Sequence, residues 1–200
     1  MVISLYITYR HRQLHWSLIA ISANHGDLAL LQFIVDKIKL KNIRRTERTN
    51  ALFLAADKGH FEVYNFLMDK NPGTKSLLNE DDRSPLHYAA NNGHFRVCKL
   101  IMEQLSDKNP ANSSGEFTPF HFAAEKGHFD VCQLMLDNLS DKNPATKSAR
   151  VTPLHLAAQH GHVALCKLIM ENLSDKNPCC SSGTTPLSRA TLHLKFEVGM

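Results

Sequence analysis

The segment TPLHLAAQHGH, residues 152–162, sets three histidines, His155, His160 and His162, within eight positions. Clustered imidazoles can ligate zinc, move protons in catalysis, or simply satisfy backbone groups. Three cysteines sharpen the metal reading, because Cys98, Cys132 and Cys166 recur at intervals of 34 residues. What separates a reaction centre from a structural device is whether the pattern occurs once or in every unit of a repeating chain.

It occurs repeatedly. SPLHYAANNGH begins at Ser84, TPFHFAAEKGH at Thr118 and TPLHLAAQHGH at Thr152, each 34 residues after the last. NALFLAADKGH at Asn50 and SLIAISANHGD at Ser17 are weaker copies, and TPLSRATLHLK at Thr185 closes the series after 33 residues. Gly26, Gly59, Gly93, Gly127 and Gly161 share one phase. Pro85, Pro119, Pro153 and Pro186 each follow Ser or Thr, whereas Pro72, Pro110, Pro144 and Pro178 each follow Lys-Asn. LSDKNP recurs verbatim at Leu105, Leu139 and Leu173; the DKNP at Asp69 comes four residues early, so the loop ending at Arg83 needs a different build.

Each unit reads as two short antiparallel helices. Thr152 suits an N-cap, Pro153 the first helical position, and His155 the slot three residues after the cap, from which a capping-box side chain reaches back. Leu154, Ala157 and Ala158 give that helix a small apolar face. Gly161 supplies the break, and Leu165, Leu168 and Ile169 mark a second helix. Asp, Asn, Pro and Ser then spell a loop.

TPLHLAAxxGH at this period resembles the ankyrin repeat, over roughly residues 14–198. The resemblance implies an all-α solenoid of stacked antiparallel helix pairs with projecting loop fingers, in one domain over residues 1–200. Its units fall near 14–42, 43–76, 77–110, 111–144 and 145–178, with a partial one at 179–200. It further implies a non-catalytic module, an adaptor or scaffold that binds an as yet unidentified protein or peptide on a concave groove of fingers and first-helix ends, and that needs no cofactor. Ankyrin loops often carry an Asp-Val-Asn that is hydroxylated on asparagine; Asn109, Asn143 and Asn177 sit similarly, but Lys replaces Val and Pro follows, which argues against that modification.

With that register, seven histidines are assigned to scaffold: His87, His121 and His155 in the capping slot, and His60, His94, His128 and His162 after the glycine. His160 stands apart, in a two-residue slot that varies from unit to unit while its neighbours repeat. In the family this slot faces the groove, so Lys58, Asn91, Asn92, Glu125, Lys126, Gln159 and His160 are the expected partner-binding residues. Arg83, Phe117 and Val151, just before the caps, are expected finger contacts, with Phe117 as the leading anchor because it is aromatic. The in-phase cysteines read as small core residues, since helices of successive units stand about 8–10 Å apart, too far for a shared zinc or a disulfide. Cys179-Cys180 reads as a loop pair open to oxidation.

At the ends the motif decays: Ser17-Leu18 and Ala20 replace Thr-Pro and His in the first unit, which makes Trp16 a candidate lid. In the last, Ser188 replaces His and Leu194 replaces Gly, leaving a minimal cap or a piece of a longer protein.

The remaining features set boundaries. Five cysteines without a framework spacing, no secretory leader and no long apolar run point to an intracellular, cytoplasmic chain that does not insert in membranes and is a monomer. The formal charge of +4 is unevenly spread: residues 1–48 hold eight Lys/Arg against three Asp/Glu, and KIKLKNIRRTER at 37–48 carries most of that surplus. That run is read as a solvated loop face. Nuclear import, or binding of a nucleic acid or nucleotide, is the alternative use, although no aromatic residues interleave with the charges. No phosphate-cradling glycine loop, H-E-x-x-H, G-x-S-x-G or CxxC is present, so no catalytic site is assigned.

Overall fold

A computed structural model describes residues 18–38, 45–70, 77–80, 82–112 and 116–197, with side chains beyond 191 excepted. Among these residues the chain is helical and contains no strand. It divides into two compact units, residues 1–77 and 78–200. Trp16 and residues 39–44, the middle of the basic run, lie outside the described residues.

In the first unit, α1 (residues 18–25) and α2 (Leu28–Ile38) flank Gly26, and α3 (Arg45–Lys58) and α4 (Phe61–Asp69) flank Gly59. The loop reading of the basic run fails at its end, because Arg45 to Arg48 form the first turn of α3. The reason is local: the second unit has Asn50-Ala51 where later units have Thr-Pro, so nothing forces the helix to begin there. Arg and Glu are good helix formers, and Glu47 favours the positive N-terminal end of the helix.

The second unit holds α5 (Pro85–Asn91), α6 (Phe95–Gln104), α7 (Pro119–Lys126), α8 (Phe129–Asn138), α9 (Pro153–Gln159), α10 (Val163–Glu171) and α11 (Pro186–Glu197). α5, α7, α9 and α11 pack side by side in one layer, α6, α8 and α10 in a second, and each pair joins the layers. Alanines make the first layer close: Ala89, Ala90, Ala123 and Ala124 have no exposed surface, and Ala157 has none either. Large side chains fill the space between layers. Leu86, Phe120 and Leu154 come from the first helices, and Val97, Val131, Met135, Leu165 and Ile169 from the second. Full burial of each such side chain contributes about 1.5–3 kcal/mol.

Pro at the first helical position starts α5, α7 and α9, and a positive-φ glycine ends each first helix, at φ 74° for Gly93, 75° for Gly127 and 71° for Gly161. Where Leu194 stands in place of that glycine, the break is lost and α11 runs unbroken for 12 residues.

A backbone bond joins the two ends of each finger. Asn112 N–H donates to Phe117 C=O at 3.0 Å and Thr146 N–H to Val151 C=O at 2.9 Å. The loop ending at Arg83 is one residue shorter, with Asn79 N–H donating to Arg83 C=O at 3.0 Å and Asp82 at a φ of 52°. The last finger shares the short form, from Cys180 to Thr184 at 2.9 Å.

Candidate functional site

The histidines form two ladders, and their tautomers follow from what they touch. At the first cap, Ser84 N–H lies 3.0 Å and Ser84 Oγ 2.9 Å from His87 Nδ1, while His87 Nε2 lies 3.3 Å from Phe117 C=O. A backbone N–H only donates and a carbonyl only accepts, so Nδ1 is bare and Nε2 carries the proton. His121 repeats this with Thr118 and reaches Val151 C=O at 3.1 Å; His155 repeats it with Thr152 and reaches Thr184 C=O at 3.2 Å. Each ring therefore caps its own helix and pins the finger of the next unit.

Burial holds His87 and His121 down to about 4, and the His155 imidazole is also lowered by burial. Protonation would put a second donor on Nδ1, facing the N–H it accepts from. These rings are neutral scaffold.

The second ladder runs backwards. His128 Nε2 donates to Asn91 C=O at 2.9 Å, His162 Nε2 to Glu125 C=O at 2.9 Å and, in the first unit, His60 Nε2 to Asn24 C=O at 3.0 Å. Each ring lies over the glycine of the preceding repeat, so close that a Cβ on Gly93 would meet His128 Nδ1 at 2.6 Å and one on Gly127 would meet His162 Cε1 at 2.6 Å. Glycine is required here twice over, for its φ and for the imidazole seated on it.

The LSDKNP segment is a third device. Asp107 and Asp141 each take the N–H two residues on, and the side-chain carbonyl of the neighbouring asparagine then crosses to the next first helix. Asn109 Oδ1 accepts from Phe120 N–H at 3.1 Å, Asn143 Oδ1 from Leu154 at 3.2 Å and Asn177 Oδ1 from Leu187 at 3.2 Å. The second helical residue of α7, α9 and α11 thus has its amide satisfied from the loop behind it.

The expected partner-binding residues fall where these devices leave side chains unused. Asn91 and Asn92 end α5, Glu125 and Lys126 end α7, and Gln159 and His160 end α9, so six of them share one layer of adjacent helices. Lys58 holds the matching place at the end of α3 in the first unit, paired with Asp57 at 3.0 Å. Lys126 pairs with Glu125 at 3.0 Å, Asn91 bonds Asn92 at 3.1 Å, and Gln159 accepts from Arg189 at 2.8 Å. His160 Nδ1 donates to Leu156 C=O at 3.0 Å, and its ring stacks on His162 with centroids 6.2 Å apart.

In the finger row Phe117 is only half-exposed. Its ring meets His121 edge-on at 5.6 Å and Phe122 at 6.0 Å. Arg83 lies over the opposite partner of this cluster, its guanidinium carbon 4.8 Å from the Phe122 centroid, and its Nε is buried without an acceptor among the described residues. Val151 is half-buried. Phe122, one residue after the capping His121, thus belongs to the same surface. The signal was available, since the position after the capping histidine reads Tyr, Phe and Leu between constant neighbours.

No cluster of three or more His, Cys, Asp or Glu is placed to hold a metal among the described residues. Cys98 and Cys132 are fully buried, with burial pushing the Cys98 thiol up to about 12 and Cys132 higher still. Of the expected loop pair, Cys179 is exposed, but Cys180 is only 6% exposed and takes the place of the finger's usual oxygen. Its sulfur lies 2.8 Å from Thr184 Oγ1 and 3.1 Å from Ser182 Oγ, and these hydroxyls hold the thiol down to about 6. Among the described residues no helix is long and apolar enough to cross a membrane.

The family model for ankyrin repeats in three copies matches residues 72–146 and again 120–198. No match among curated proteins is found.

Proposed function

We propose, from the premise that the chain belongs to the ankyrin-repeat family, that it is a non-catalytic adaptor which holds a protein or peptide on its finger and helix-end rows. Ankyrin repeats are in general protein-interaction modules. One observation carries the finer reading. At Asn91 and Glu125, and again at Phe117 and Val151, a scaffold histidine takes the main-chain carbonyl. The main-chain carbonyl at these positions is held, while the side chain that it carries varies between units.

Such a surface binds well because it is already rigid, and little entropy is lost on association. Its chemistry suits a segment that offers an apolar side chain to the Phe117–Phe122 pair and a carboxylate to the guanidinium of Arg83, which stands over the Phe122 ring. Asn92 and Lys126, both exposed, extend the row with polar contacts.

The test compares the proteins retained by the chain with those retained by an Asn92→Lys, Lys126→Glu variant of equal melting temperature. A partner lost only from the variant supports the reading. A partner held equally by both places the contact elsewhere on the molecule.

A further inference from the structure

The last finger departs at its base from the three before it. In those, a side-chain oxygen at the near end accepts a backbone N–H from the far end: Asn79 Oδ1 from Arg83 at 2.8 Å, Asn112 Oδ1 from Phe117 at 3.2 Å and Thr146 Oγ1 from Val151 at 3.0 Å. In the last finger that place belongs to Cys180, whose sulfur faces the hydroxyls of Thr184 and Ser182. Hydroxyls that donate to sulfur favour its thiolate, in keeping with a thiol held down to about 6. Cys179, the residue before it, is exposed. An open thiol and a shielded, readily ionised one thus stand side by side in one loop.

The same finger gathers contacts from two others. Cys180 N–H donates to Thr184 C=O at 2.9 Å, and that carbonyl also takes His155 Nε2 at 3.2 Å. Ser181 N–H and Ser181 Oγ donate to the third finger, at Ala149 C=O and Ser148 C=O, over 2.9 and 3.0 Å.

We propose that Cys179 and Cys180 form a thiol–disulfide exchange site, which a small-molecule disulfide converts to a disulfide between the two adjacent residues, and that this conversion opens the last finger. The thiolate of Cys179, the one open to solvent, attacks a sulfur of the disulfide RSSR, making a Cys179–S–S–R bond and releasing RS⁻. The Cys180 thiolate then attacks the Cys179 sulfur, closing the Cys179–Cys180 bond and expelling the second RS⁻. The two protons given up by the cysteines end on the released thiols, so the protein dithiol is oxidised by two electrons and RSSR is reduced to two RSH. Cys180 suits the second step because it is ionised near neutral pH yet covered against RSSR itself.

The bond requires the finger to yield. Cys179 is open to solvent while the Cys180 sulfur lies against its two hydroxyls, so Cys180 must leave both of them to reach its neighbour. The peptide between the two residues is trans. Adjacent Cα atoms across such a peptide stand about 3.8 Å apart, short of the roughly 4.4–6.8 Å that disulfides span. The product is therefore strained and readily reduced, and its strain falls on the Cys180 main chain that closes the finger.

The test uses the full chain and glutathione disulfide, and every readout is taken without a binding partner. Intact mass should fall by two hydrogens with no glutathione retained, and peptide mapping should place the bond between residues 179 and 180. Amide exchange at Cys180 and Ser181 should quicken about tenfold, as loss of a hydrogen bond allows, and dithiothreitol should restore it. Cys180→Ser, which returns an oxygen to the place as in the third finger, should stop at a glutathione adduct on Cys179. Cys179→Ser should leave the covered Cys180 unmodified. A glutathione adduct that persists on Cys179 of the unaltered chain overturns the proposal, as does a bond from either cysteine to Cys166 or to a second chain, or no reaction at all. An adjacent disulfide that leaves both amides exchanging as before overturns it too, because the finger would have stayed closed.

Discussion

The imidazole of His162 lies over Gly127, with its Cε1 2.6 Å from where a Cβ on that glycine would stand and its Nε2 2.9 Å from the Glu125 carbonyl. One contact thereby joins two repeats, fixes the turn between two helices and holds the main chain of a binding position.

Gly127→Ala should therefore suffer two penalties, the strain of an alanine at φ 75° and displacement of the ring. Gly183 is the control, since it has φ 79° but nothing within 4 Å of its Cβ position. Urea unfolding should show Gly183→Ala losing about 1 kcal/mol and Gly127→Ala about 1–3 kcal/mol more. Removing the ring with His162→Ala in the Gly127→Ala background should return part of the second penalty. Equal losses at both glycines would mean that the imidazole does not sit there.

Acid should dismantle the capping ladder. His87 and His121 protonate near pH 4 in the fold, below the ordinary 6.5. Between those values the unfolded chain binds protons that the folded chain refuses, so their contribution is whole above about pH 6.5 and is lost as pH falls through 4. Each ring accounts for roughly 2–3 kcal/mol over that window. His121→Gln retains a capping-box acceptor without a titrating group. Unfolding free energies measured from pH 7 to 4.5 should fall less steeply for that variant. An unchanged slope would mean that the carboxylates, not the histidines, set the acid limit.

The repeat made much of this legible. Thr-Pro, the capping-slot histidine and the phased glycines each state a local requirement that must recur in every unit, so their period exposes them. Contacts between units were harder to read. Nothing near His128 names Asn91, because the partner lies 37 residues away and contributes only a carbonyl. The same holds for the aromatic surface: Phe117 was visible as an odd residue in its slot, but its pairing with Phe122, and Arg83's place over Phe122, exist only once finger and helix are folded together. Arg45 to Arg48 misled for the opposite reason, since charge alone carries no signal of where a helix begins.

Asn143 offers a test of the loop-to-helix bond. Its side-chain carbonyl accepts from Leu154 N–H at 3.2 Å, and alanine there would leave an amide in the first turn of α9 without a partner. Asn143→Ala should cost about 1 kcal/mol, the usual loss for a helix cap. Lys147→Ala, at an exposed place in the same finger, should change stability little. If the two variants unfold together, the conserved wording of LSDKNP within this chain has another cause.

The thiols report on the stack directly. Alkylation needs both a thiolate and a path to it, and the five cysteines differ in each. Cys179 is exposed and should label first under native conditions. Cys180 has its proton held loosely by two hydroxyl neighbours but is shielded, and Cys166 is half-covered on the open face of α10, so both should follow more slowly. Cys98 and Cys132 have no exposed surface and thiols raised by burial, and should label only at the rate at which the repeats open. Timed iodoacetamide quenching with peptide mass spectrometry would give that order.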